Sequence, residues 1–119
     1  MLMKNSDLKV LVHEEFLGGK GTLTNTHFLN NEDACGAGRL FAKSMLTPGS
    51  SIGYHKHEGD FEVYYILSGK ALVNHNGTEY ELEAGDSILC RNGESHSIEN
   101  IGDTNLGYIA IILFDKENA

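Results

Sequence analysis

Tryptophan is absent from this 119-residue chain, proline occurs once, and there are only two cysteines, Cys35 and Cys90. Two thiols far apart, with no Cys-x-x-Cys pair, are too few for a disulfide scaffold. They read as reduced thiols, Cys90 as a small buried hydrophobe in a strand. No run approaches the roughly 20 apolar residues of a membrane span, and the N-terminal MLMKNSDLK lacks the apolar core of a signal peptide. The expected location is therefore cytoplasmic. Basic residues are scarce, nine against seventeen acidic ones, for a formal charge of −8. That balance argues against nucleic acid and anionic membrane as partners. Helical periodicity is missing too, since no stretch sustains it beyond about two turns.

Glycine, in contrast, is abundant: fourteen residues against the single proline predict many tight turns between short strands. The length suits one domain, 1–119, with N-terminal strands and a loop in 1–38 and a barrel core in 39–114. Val10-Leu11-Val12 predicts a short edge strand and Thr22–Leu29 a second. Further strands follow at Arg39–Leu46, Gly53–His57, Glu62–Leu67, Ala71–His75, Thr78–Leu82, Ser87–Cys90, Ser95–Glu99 and Leu106–Phe114. Turn signals such as Gly59-Asp60, Asn76-Gly77 and Asn92-Gly93 separate them. The pattern predicts an all-β antiparallel sandwich or barrel. Ile109–Phe114 (IAIILF) is apolar throughout, as in a strand covered on both sides by packed sheets or a second subunit. A homodimer is expected on that ground.

Three of the six histidines and one carboxylate cluster in two short runs, 49–69 and 85–100: His55, His57, Glu62 and His96. Imidazole and carboxylate are ligands that manganese, iron, nickel and zinc all accept. His55 and His57, two apart, leave one face of a strand. Glu62 follows His57 by five residues, so a straight strand would aim it away. The turn signal Gly59-Asp60 lets the chain fold back and present Glu62 from a neighbouring strand. His96 would arrive from a later strand, after Asn92-Gly93.

These spacings resemble the two motifs of the cupin superfamily. The first is matched by Gly49, His55, His57, Glu62 and Gly69, the second by Gly85, Gly93, His96 and Asn100. Nine of ten fixed positions agree; Arg91 stands where the family has a proline that stiffens the turn before the last ligand. Fifteen residues separate the motifs, as in small single-domain bacterial cupins. The resemblance implies a double-stranded β-helix, or jelly roll, in which His55, His57, Glu62 and His96 converge on one divalent transition metal (Mn, Fe, Ni or Zn). Two coordination positions would stay open for water or a bidentate ligand. The competing reading is a metal-free, hydrogen-bonded polar core. His13, His27 and His75 lie outside both motifs and are expected at the surface or in hydrogen bonds.

If Glu62 points inward, alternation sends Tyr64 and Ile66 inward as well, with Val63 and Tyr65 outward. Tyr64 would then donate a hydrogen bond to a substrate oxygen, act as an acid with a lowered pKa, or simply fill the core. Glu62 itself is the other candidate for proton transfer, while Tyr54 should face away and pack. Arg39 and Lys43, four apart, are expected on one face, either clamping an anion near the metal or solvated. The resemblance, strengthened by the run EVYYILSG of cupins related to sugar-phosphate isomerases, implies an enzyme acting on an oxygen-rich small molecule. Sugar-derived and keto or carboxylate substrates fit, with isomerase-, decarboxylase-, lyase- or dioxygenase-like chemistry. The alternative is a small-molecule-binding or sensing module without turnover.

Overall fold

The computed structural model describes residues 1–118. Ten strands follow one another: β1 (Lys9–Glu14), β2 (Thr22–His27), β3 (Gly38–Leu46), β4 (Ser51–Lys56), β5 (Asp60–Ser68), β6 (Lys70–His75), β7 (Thr78–Glu83), β8 (Ser87–Cys90), β9 (Ser95–Asn100) and β10 (Leu106–Phe114). Every strand expected from the sequence forms, with ends displaced by a few residues. Among the described residues the only helical pieces are two 3-10 turns, Asn5–Asp7 and Phe16–Gly18, and no helix there is long and apolar enough to cross a membrane.

All pairings are antiparallel, in a six-stranded sheet of order β1-β2-β3-β10-β5-β8 and a four-stranded sheet of order β4-β9-β6-β7. From β3 onward each strand crosses to the other sheet, except at the β6–β7 hairpin, the wiring of a jelly roll. Turn chemistry fits it. Asn76 and Gly77 both take positive φ, 54° and 92°, as a two-residue hairpin between β6 and β7 requires.

Inward-facing residues form cross-strand rows, and the core fills one end of the barrel. Leu23, Leu46 and Leu106 stand side by side on β2, β3 and β10, and Ile52, Ala71, Val73 and Ile98 cover them from the other sheet. The opposite end of the barrel stays polar and holds the histidines.

Ile109–Phe114 differs from the expectation of burial on both sides. Tyr108, Ala110 and Ile112 are enclosed, whereas Ile109, Ile111 and Leu113 are only half-buried and Phe114 is exposed. The reason is topological: the second sheet packs against one face of β10, and no other strand among the described residues covers the other.

Candidate metal centre

Two backbone irregularities decide where the site forms. In a straight β4, Ile52 and His55 would point to opposite faces. The β4–β9 register slips by one residue between them, so Ile52 pairs with Ile98 and His55 with His96. This bulge at Gly53-Tyr54 turns both Ile52 and His55 inward and leaves Tyr54 exposed. Gly53 is required there, because a Cβ would lie 1.9 Å from the carbonyl oxygen of Leu17 in the 3-10 turn packed across it. After β4 the chain leaves the smaller sheet. His57 is anchored through its N–H to the Glu94 carbonyl at 2.9 Å and its carbonyl to the Gly93 N–H at 2.7 Å. Gly59, at φ 80°, then turns the chain into β5. Glu62 thus comes from the facing sheet, not from a neighbouring strand beside the histidines.

The four residues converge, their ligand atoms all within 4.8 Å of one another. His96 Nε2 lies 3.1 Å from His55 Nε2, 3.1 Å from His57 Nε2 and 3.0 Å from Glu62 Oε1; His57 Nε2 is 3.2 Å from the same oxygen. Hydrogen bonding alone does not account for this. His55 Nδ1 lies 2.7 Å from the Gly53 carbonyl, and His57 Nδ1 lies 2.7 Å from Asp60 Oδ1. Both partners accept, so both Nδ1 atoms carry the hydrogen and the Nε2 lone pairs aim at the centre. One hydrogen on His96 Nε2 cannot serve two such nitrogens and a carboxylate. Edges near 3.0 Å are what ligands at right angles subtend when each sits roughly 2.1 Å from a common cation. The donor set fits a divalent metal.

Electrostatics point the same way. When a proton takes the place of a metal, burial opposes ionisation of Glu62, but protonated His57 and His96 edges outweigh it and hold the carboxyl at about 2. Burial also opposes charge on His57, yet once its Nε2 is protonated the Glu62 and Asp60 carboxylates stabilise it and raise its pKa. A site that holds a proton against burial in this way favours a cation. His55 is shifted down, chiefly by burial.

Tyr64 faces inward as expected, along with Ile66, while Tyr65 is exposed. Its ring stacks on His96 with centroids 4.8 Å apart, and its hydroxyl is 3.4 Å from His96 Nε2. Its pKa is pushed well above the ordinary value, by burial first and then by the charge of Glu62. This is opposite to the lowered value expected of an acid, and it makes the phenol a hydrogen-bond donor. Cys90 is buried, its thiol pushed up to about 12 mainly by burial, as suits a core residue.

Arg39 and Lys43 do not share a face. A bulge places Leu40 opposite Ile112 and Gly38 opposite Leu113, with Arg39 as the extra residue of β3. Arg39 thereby turns to Asp60, its Nε donating to Oδ2 at 2.7 Å, while Lys43 stays exposed on the outer face. Asp60, only 5% exposed, links Arg39 to His57 and fixes the histidine tautomer. Sequence reasoning took Gly59-Asp60 only as a turn signal and missed this second role. Arg91 is exposed and faces away from the site. Its N–H, which proline lacks, donates to Glu94 Oε1 at 2.7 Å, and the Glu94 N–H donates back to the Arg91 carbonyl at 3.0 Å. A side chain thus braces the turn that proline braces in the family pattern. Asn100 is structural, its amide donating to the Leu46 and Thr104 carbonyls, both at 2.8 Å.

Beside the four ligands opens a cavity of ≈ 430 Å³. Leu11 of β1, with Phe16 and Leu17 of the second 3-10 turn, forms part of its wall, so the N-terminal segment encloses the pocket. His13 and His27 also line it, contrary to the surface or hydrogen-bonded roles expected of them, whereas His75 pairs with Glu94 at 3.2 Å.

The Cupin domain family matches residues 43–112, which include every residue of both motifs. The chain is a cupin. An oxalate-binding protein of Thermotoga maritima is 43% identical over 113 residues, covering 95% of this cupin and 93% of the relative. A crystal structure of a predicted oxalate decarboxylase from the same organism superposes with a TM-score of 0.91 at 43% identity, covering 96% of this chain and 99% of that one. The polyketide cyclase RemF of Streptomyces resistomycificus, at 19% identity and a TM-score of 0.74, covers 96% of this cupin and 78% of its own chain, and shares the fold.

Proposed function

We propose that this cupin binds one divalent transition metal (Mn, Fe, Ni or Zn) through His55, His57, Glu62 and His96 and uses it to hold a small molecule with two adjacent oxygens. The observation that carries this reading is the convergence of three imidazole Nε2 atoms and an ionised carboxylate, with His55, His57 and Glu62 at the wall of a ligand-sized cavity. The oxalate-binding relative supports a carboxylate or keto-acid ligand, with oxalate the simplest case. Bound there, the metal would polarise a ligand's oxygens and stabilise negative charge developing on them. The residues supply the rest. Asp60 and the Gly53 carbonyl orient two histidines, and Tyr64 donates its phenolic hydrogen toward a ligand oxygen. The apolar wall excludes water from the reacting atoms. An isomerase-, decarboxylase- or lyase-like reaction on such a ligand follows, with Tyr64 or Glu62 moving the proton.

A specific observation also favours a binding or sensing module without turnover. Glu62 is engaged by two histidines and Tyr64 is held protonated, so neither is an uncommitted general base. We also infer a single domain over 1–119 and a cytoplasmic homodimer. The uncovered apolar face of β5, β8 and β10, with Tyr65, Leu67, Leu89 and Ile111, supports the second copy. The two free thiols suit a reducing compartment.

Elemental analysis of untagged protein beside a His55→Ala/His96→Ala variant tests the centre. Near-stoichiometric metal in the parent and none in the variant is expected. A parent that takes up none of the four ions on reconstitution refutes the reading.

A further inference from the structure

The cavity extends well beyond the four ligands, and its far side is not empty of chemistry. Ala42 and Ala110 are paired across β3 and β10, and their short side chains open the floor between two larger pairs. On one side stand Leu40 and Ile112, next to Glu62; on the other stand Ser44 and Tyr108. Tyr108 lies beyond Tyr64, its ring edge-on to the Tyr64 ring with centroids 5.0 Å apart, while the Tyr64 hydroxyl is 3.4 Å from His96 Nε2. A two-carbon diacid held at the four ligands would meet Tyr64 first. A cavity of ≈ 430 Å³ also falls in the range that accommodates drug-sized ligands, and oxalate would leave most of it unfilled.

The far wall carries polar groups without partners. Tyr108 is fully buried, and its hydroxyl makes no hydrogen bond among the described residues. Ser44 stands opposite it on β3; its hydroxyl donates to Asn25 Oδ1 at 2.6 Å and keeps its lone pairs for the phenol, whose pKa it lowers against burial and the charge of Glu62. His27 Nε2 is likewise enclosed and unpartnered among the described residues. Buried polar atoms in folded proteins nearly always find a partner, so three polar side chains lining one cavity, two with unpartnered atoms, mark a place for an oxygen. That oxygen is uncharged. Burial and the charge of Glu62 keep Tyr108 a neutral phenol, burial and then the charge of Lys9 depress His27, and the Arg39 guanidinium is bound to Asp60.

We propose that Tyr108 and Asn25, in the row beyond Ala110, form a second subsite, so that the ligand has a chelating head at the metal centre, an apolar body over Ala110 with His27 beside it, and a hydroxyl or carbonyl at its far end. This rests on the chelating role proposed above. The body lies against Leu11, Leu23, Leu40 and Ile52, and its length is about that of one aromatic ring and a linking carbon.

Calorimetric titration of the manganese-loaded protein with oxalate, pyruvate, phenylpyruvate and 4-hydroxyphenylpyruvate tests it. Phenylpyruvate is expected to bind at least tenfold tighter than pyruvate, and 4-hydroxyphenylpyruvate several-fold tighter again. In Tyr108→Phe the ratio between these two aromatic acids should fall to about one; should that variant fail to load metal, Asn25→Ala is read by the same ratio. Oxalate and pyruvate binding with no gain from the ring overturns the second subsite and leaves the chelating role standing. A ratio that neither substitution changes overturns the assignment of the far oxygen. Failure of all four acids to bind overturns the chelating role and the subsite with it.

Discussion

Asp60→Asn isolates the residue that holds a candidate ligand without touching the metal. Asp60 Oδ1 accepts from His57 Nδ1 and Oδ2 accepts from Arg39 Nε, both at 2.7 Å. Asparagine has one acceptor oxygen for these two donors. If that oxygen faces His57, the new NH2 group opposes the arginine N–H. If it faces Arg39, the NH2 group meets Nδ1, and the imidazole must move its hydrogen to Nε2, which removes the lone pair from the centre. Either arrangement loses one charge-assisted bond, worth about 1.5–3 kcal/mol. The arginine is half exposed and can turn to water, so most of the loss falls on His57. Metal affinity should therefore drop about 10- to 100-fold, the usual effect of removing a carboxylate behind a ligating histidine. Competition against a fluorescent chelator measures it, with the melting temperature of metal-free protein as a control for general damage. Nitrogen-15 chemical shifts of His57 should show a mixed or reversed tautomer. An affinity within threefold of the parent, with the Nδ1–H tautomer intact, refutes the argument.

Gly53→Ala forces a methyl into the Leu17 carbonyl, so the 3-10 turn that walls the cavity must lift; we expect a loss of about 1–3 kcal/mol by chemical denaturation and weaker ligand binding. Tyr64→Phe removes the hydroxyl beside His96. Turnover on whichever acid is converted should fall about 100-fold with metal content unchanged, whereas a binding module would show only altered affinity. Tyr65→Glu puts a charge on the exposed outer face of β5. Light scattering is expected to report a dimer for the parent and a monomer for the variant; a dimeric variant would place the contact elsewhere.

The strands and the ligand set were legible in the sequence because both depend on short-range patterns: glycine turns, period-two alternation, and histidines at fixed spacing within one strand or turn. Period two also led to Tyr64 and Ile66. It failed at Arg39, where a bulge separates two cations that parity places together. At Gly53-Tyr54 a second bulge brings His55 to the face of Ile52, a relation period two does not foretell, while Tyr54 faces away as expected. Neither bulge has a mark in composition beyond an ordinary glycine. The far wall of the cavity escaped for another reason. Asn25, Ser44 and Tyr108 sit in one row only because β2, β3 and β10 are neighbours, and that adjacency joins residues nineteen and sixty-four positions apart. Motifs read along the chain find the three histidines and the glutamate that converge. The groups that distinguish one ligand from another lie across the sheet, on strands that carry no motif, and become visible when the strand order is known.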